Sequence, residues 1–148
     1  MKRIIGCGNL LMQDEGVGVH FIRYLQEKKL PEDVELIDGA AGGFDLLPFI
    51  QDAQRVIIVD AVKARGEPGA IYKFGPEDYE TDSFPQASLH DVSLKDIFSI
   101  VKLTGPLPPI TIFGVEPKAM DWGMELTDEL KSVLPRLGEL VLKEISHA

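Results

Sequence analysis

Apolar and polar positions along this chain change period in a regular way, with unbroken aliphatic runs alternating with stretches where apolar residues recur every three or four positions. That alternation predicts an α/β domain built on a mostly parallel sheet with helices on both faces. The first run, Arg3 to Cys7, reads as a strand, and a turn-rich loop leads from it to a helix spanning about Glu15 to Lys28. In this helix Gly18, Phe21, Ile22 and Leu25 follow the i, i+3, i+4, i+7 rule and face the sheet, with Asp14 as N-cap. Val34 to Ile37 is a second strand that ends at Asp38, and a glycine-rich turn enters a short helix capped by Asp45 and running towards Ala53. Pro48 falls in its first turn, where the missing N–H removes no helical hydrogen bond.

Val56, Ile57, Ile58 and Val59 form a continuous β-branched run, as a central strand needs when both its faces are buried, and the run stops at Asp60. Ala70 to Phe74 reads as a further strand at the sheet edge, and the polar, Pro- and Asp-bearing segment from Gly75 to Ala87 as a loop. Leu94, Ile97, Phe98 and Val101 mark a helix that begins near Ser88 or Asp91, with His90 at its mouth. Gly105 to Pro109 interrupts, and Ile110 to Val115 completes a set of five strands. Thr127 caps a C-terminal helix with Leu130, Val133, Leu134, Leu137, Leu140 and Val141 inward, and Pro135 is expected to kink or divide it. With no internal repeat and no linker, residues 1–148 are expected to form one domain.

Composition narrows the function. The 24 acidic residues outnumber 15 basic ones, for a formal net charge of -9, whereas a phosphate-holding surface needs clustered Lys and Arg. Nucleic acid and anionic membranes are therefore not expected partners, and metal ions or neutral and basic peptides suit the surface better. The single cysteine, Cys7, allows no intrachain disulfide, as in a reducing cytosol. The basic N-terminus turns to Gly, Asn and acidic residues before a signal core develops, and no stretch approaches the roughly 20 apolar residues that cross a bilayer. A cytoplasmic protein is expected, and a monomer, since core assignment leaves no obvious apolar stripe over.

The loop from Gly6 to Gly18 joins a first strand to a first helix and invites a dinucleotide-binding reading. Leu11 stands where that fingerprint needs glycine, and Asp14 and Glu15 occupy the helix N-terminus, where a phosphate would need bare N–H groups. A cation is welcome there instead. Glu15 and Asp60 should both lie at the carboxyl ends of parallel strands, where such sheets form their ligand crevice. His20 sits five residues past Glu15, about 140° around the helix, and His147 is terminal, so only His90 can reach the same crevice. Each of the three has an ordinary explanation alone: a first-turn acid, a turn former, a capping histidine. Together, Glu15, Asp60 and His90 make a ligand set for zinc, nickel or iron that leaves coordination positions open. HExxH, GxSxG and CxxC patterns are absent, which removes the familiar zinc-helix, serine-hydrolase and structural-zinc readings. Cys7 could serve as a nucleophile with His90 as its base, or pack as an inert buried residue.

Five motifs in order then resemble the hydrogenase maturation endopeptidases: Gly6-Cys7-Gly8-Asn9-Leu10-Leu11 with Asp14-Glu15-Gly16-Val17-Gly18; Asp38-Gly39 with Gly42-Gly43; Val56 to Ala61; Ser88 to Val92; and Gly114-Val115-Glu116-Pro117. Cys7 departs from the apolar residue usual at its position. The resemblance implies an α/β/α sandwich and removal of the C-terminal extension from the large-subunit precursor of a nickel-iron hydrogenase. It implies that Glu15, Asp60 and His90 recognise nickel, which the precursor supplies, so that no organic cofactor is expected. Asp38, with Gly42 and Gly43 beside it, is implied to bind substrate or share in cleavage. The bond is expected to break either by water attack on a metal-polarised carbonyl or with Asp38 or Asp60 as general base, in the manner of acid proteases. A non-catalytic nickel chaperone using the same trio, and a small-molecule or nucleotide-binding module, are the rival readings.

Overall fold

The computed structural model describes residues 1–40, 43–80 and 94–147. Strands β1 (Lys2–Cys7), β2 (Val34–Ala40), β3 (Arg55–Ala61), β4 (Ile71–Phe74) and β5 (Ile110–Val115) form one sheet in the order β2-β1-β3-β5-β4. All pairs are parallel except β4 with β5; β4 is the edge strand expected, and it runs antiparallel. Period-two alternation sorts each strand onto two faces. Ile4, Ile57, Val59, Phe113 and Val115 pack with α1 (Val17–Gln26) and α5 (Asp128–Ser146). Ile5, Val56, Ile58 and Ile112 pack with α2 (Leu47–Gln51) and α4 (Leu94–Thr104). The result is the three-layer α/β/α sandwich, with every residue of β3 buried at its centre.

Several local expectations are corrected. The first helix starts at Val17 and ends at Gln26, preceded by a 3-10 turn over Gln13–Gly16 that holds Glu15. Asp14 is not its N-cap, because its carboxylate is engaged elsewhere, and Gly16 occupies the cap position without a side-chain bond. A second 3-10 turn, Gly43–Leu46, precedes α2, so Leu46 rather than Asp45 is the N-cap, while Pro48 sits in the first turn as expected. Strand β2 runs on through Asp38 to Ala40, because Gly6 and Cys7 of β1 still pair with Asp38 and Ala40. The expected loop after Gly75 holds one helical turn, α3 (Glu77–Glu80). Its cause is a reciprocal pair: Gly75 N–H donates to Asp78 Oδ2 at 2.9 Å and Asp78 N–H to the Gly75 carbonyl at 3.1 Å, with Pro76 between them. Helix α5 is not divided at Pro135, which lies with Lys131 on the exposed side, where water can serve the carbonyl that proline leaves unbonded. The expected helix start near Ser88 or Asp91 lies outside the described residues, within which α4 begins at Leu94.

Candidate active site

The strand order fixes where a ligand crevice opens. From β1 the chain moves to β2 on one side, then returns past β1 to β3 on the other, with α1 and α2 on opposite faces. Connections therefore diverge at the carboxyl ends of β1 and β3, the switch point at which parallel sheets bind ligands. Glu15 lies in the turn that follows β1, and Asp60 near the end of β3.

Glycines bring that turn down onto the sheet. A Cβ on Gly6 would lie 2.0 Å from the Gly18 carbonyl oxygen, and one on Gly18 would lie 2.3 Å from both the Cys7 and Val59 carbonyl oxygens. The two positions let α1 touch the backbone of β1 and β3, so the glycine-rich motif serves helix-to-strand packing. Gly8, at φ +147°, passes so close under Glu15 that a Cβ would meet the Glu15 carbonyl oxygen at 2.1 Å.

Asp60 is buried, 4% exposed, and one of its oxygens accepts the Ala61 N–H at 2.8 Å. By alternation with Val59 and Ala61 its side chain lies on the face of α2 and α4. Glu15 is half-buried. Asp38 is exposed, accepts the Ala40 N–H at 2.9 Å, and lines a cleft of about 280 Å³ with Gly8, Asn9, Leu10, Val19 and Ala40. Through Gly6 it shares a row with Val59, about 10 Å away across two strand spacings, one residue short of Asp60. Gly43, at φ +85°, opens the 3-10 turn beyond β2 on this same rim. His90 and Gly42 lie outside the described residues, and no cluster of three or more metal-ligating side chains occurs among the described ones.

Cys7 is 1% exposed. Burial pushes its thiol well above the ordinary range, and the charges of Asp60 and Asp38 push it the same way. A thiol kept protonated and shut from solvent is a poor nucleophile, so Cys7 acts as core.

Two residues with no site role in the sequence reading hold the rim in place. The fully buried Asp14 carboxylate accepts the N–H groups of Lys118 (2.9 Å), Ala119 (3.1 Å) and Thr127 (2.8 Å) and the Thr127 hydroxyl (2.8 Å). It thereby ties the turn holding Glu15 to the loop after β5, alongside a backbone bridge from Met12 to Gly123. Glu116, 5% exposed, accepts the Ala64 and Gly66 N–H groups at 2.9 Å each and the Tyr72 hydroxyl at 2.7 Å, which fixes the loop leaving Asp60. Burial opposes its charge, but these donors hold its carboxyl below the ordinary value of 4.5. Asp14's partners lie more than 100 residues away, so no local pattern could reveal them; Glu116 was visible only as part of a motif.

With this geometry in place, the relatives decide between rivals. The profile of the hydrogenase maturation protease family matches residues 19–144. The chain belongs to that family. This maturation protease is 30% identical to the hydrogenase 2 maturation protease of Escherichia coli (strain K12) over 98% of its own length and 90% of that protein's. It superposes on the hydrogenase maturating endopeptidase HybD of E. coli with a TM-score of 0.88 at 28% identity, covering 99% of this chain and 92% of the other. The NiFe hydrogenase maturation protease HybD of Thermococcus kodakarensis gives a TM-score of 0.78 at 26% identity, covering 97% and 98%. The protein is accordingly a peptide-bond hydrolase, and the chaperone and nucleotide-module readings fall away. Among the described residues of this protease, no helix is long and apolar enough to cross a membrane.

Proposed function

We propose that this protease removes the C-terminal extension of a nickel-iron hydrogenase large-subunit precursor, and that Glu15, Asp60 and His90 complete the coordination of the nickel that the precursor carries. What carries the reading is the placement of Glu15 in the turn after β1 and of Asp60 near the end of β3, two strands that are neighbours at the switch point of the sheet. Carboxylate and imidazole donors suit a borderline divalent ion, and three without a thiolate need not hold it alone, so nickel belongs to the substrate and reports its readiness. A neighbouring structure's designation as a NiFe hydrogenase maturation protease supports the choice of metal. We expect the protein to act as a cytoplasmic monomer.

The tail would lie in the cleft beside Asp38, and Gly42 and Gly43 would share in binding it. Nickel contact would position the scissile carbonyl, and water would attack it, the developing oxyanion being stabilised by the substrate's own cation. Asp38, exposed in the cleft, suits the role of accepting that water's proton better than Asp60, which is buried with one oxygen on the Ala61 N–H. Cleavage of nickel-loaded precursor by Glu15→Gln, Asp60→Asn and His90→Gln tests the trio. Each is expected to lose about a hundredfold or more in rate, and cleavage by all three at the wild-type rate would remove the trio from the mechanism.

A further inference from the structure

Six large apolar side chains are strongly exposed among the described residues: Met1, Leu11, Phe44, Leu103, Trp122 and Met124. Four of them stand at one edge of the molecule. Leu11 lies in the loop after β1, Phe44 in the turn after β2, and Trp122 and Met124 in the loop after β5, all beyond the carboxyl ends of parallel strands. They flank β3, which carries Asp60, on both sides. Met1 and Leu103 belong to the opposite edge, at the start of β1 and on the helix that leads into the amino end of β5.

Leu11 and Trp122 sit on paired backbone. Gly123 donates its N–H to the Leu11 carbonyl at 2.9 Å and accepts the Gln13 N–H at 2.8 Å, which sets Leu11 beside Trp122 in register. Asp14 secures both segments, two residues beyond Met12. Exposures of 80% for Trp122 and 63% for Met124 leave apolar surface in water with no return to the monomer's stability. Tryptophan and methionine on a preorganised support are the residues that serve as anchors in protein interfaces.

We propose that Leu11, Phe44, Trp122 and Met124 form the surface on which the folded body of the large-subunit precursor docks, laying its tail into the cleft that Asp38 lines. The proposal rests on the protease reading above. A second copy of this chain is the less suitable occupant, because a partner seated here would cover the rim that a protein substrate has to reach.

Trp122 is the only tryptophan in the chain, so it reports its own environment. Protease carrying 5-fluorotryptophan is titrated with nickel-loaded precursor and followed by fluorine NMR, and steady-state cleavage is compared for the wild type, Trp122→Ala with Met124→Ser, and Leu103→Ser. The Trp122 resonance is expected to shift on binding. The double variant should raise KM about tenfold or more, the scale of a lost interface anchor, with kcat within about twofold, while Leu103→Ser moves neither. Normal wild-type cleavage with an unmoved KM in the double variant overturns the docking surface alone. An unmoved KM together with a wild-type dimer that the double variant abolishes assigns the patch to self-association and overturns it too. A wild-type protein that cuts no precursor overturns the protease reading beneath it.

Discussion

At the scale of single residues, the most consequential side chain is one that touches no substrate. Asp14 stands one position before Glu15 and binds four donors on the loop after β5, so it sets where the Glu15 turn sits. Asp14→Ala leaves three N–H groups and a hydroxyl without their acceptor inside the protein, and should cost about 3 to 5 kcal/mol. Urea unfolding measures this, and a loss below about 1 kcal/mol would show that water replaces the carboxylate easily. Three non-glycine residues hold left-handed backbone at this rim, Gln13 at φ 48° and Ala40 at φ 46°, two residues from Glu15 and Asp38 respectively, and Arg65 at φ 61° in the loop after β3. Non-glycine residues there concentrate near functional sites. The candidate acids Glu15 and Asp60 were legible because each ends a strand signal or follows one. The role of Asp14 was not, since an acid before a helical pattern reads as an N-cap until its distant partners are seen.

At the scale of elements, the packing of α1 on β1 and β3 decides whether the site exists. Gly18→Ala places a methyl group 2.3 Å from two strand carbonyl oxygens, and backbone cannot rotate aside as a side chain can. It should cost about 3 kcal/mol or more in urea unfolding and impair cleavage, because the turn holding Glu15 moves with the helix. The loop leaving β3 has its own pin in the Tyr72–Glu116 pair. Burial, together with the hydrogen bond to Glu116, raises the Tyr72 hydroxyl from 10.0 to about 12, and a raised value favours the protonated form in the folded state. The contribution of this pair is therefore whole below pH 10.0 and lost as the pH climbs through about 12. Glu116 has the opposite sign, its share present above 4.5 and lost as the pH falls through its lowered value. Tyr72→Phe should cost about 1 kcal/mol at neutral pH, and its difference from wild type should shrink above pH 10.0. A difference that widens there would contradict the pairing. The strands were legible in the sequence because their apolar runs are continuous. The boundaries at Val17, Ala40 and Glu77 were not, because 3-10 turns, strand pairing and a reciprocal Gly75–Asp78 bond set them.

At the scale of the whole molecule, the sheet order turns an acidic chain into one with a directed end. The sequence pattern gave the α/β class, but not the β2-β1-β3 arrangement that creates the switch point, since strand order depends on which face each connection crosses. That arrangement gathers Asp38, Glu15, Asp60 and four exposed apolar residues at one edge. The opposite edge carries a structural network in which Arg55 donates to Thr111 at 2.6 Å and to Glu144 at 2.8 Å. A protease that reads a metal held by its substrate should discriminate between two forms of one precursor. The decisive measurement is the intact mass of the products when wild-type protein meets nickel-loaded and nickel-free large subunit in parallel. The trio predicts release of the C-terminal peptide from the loaded form alone. Equal release from both forms would contradict it.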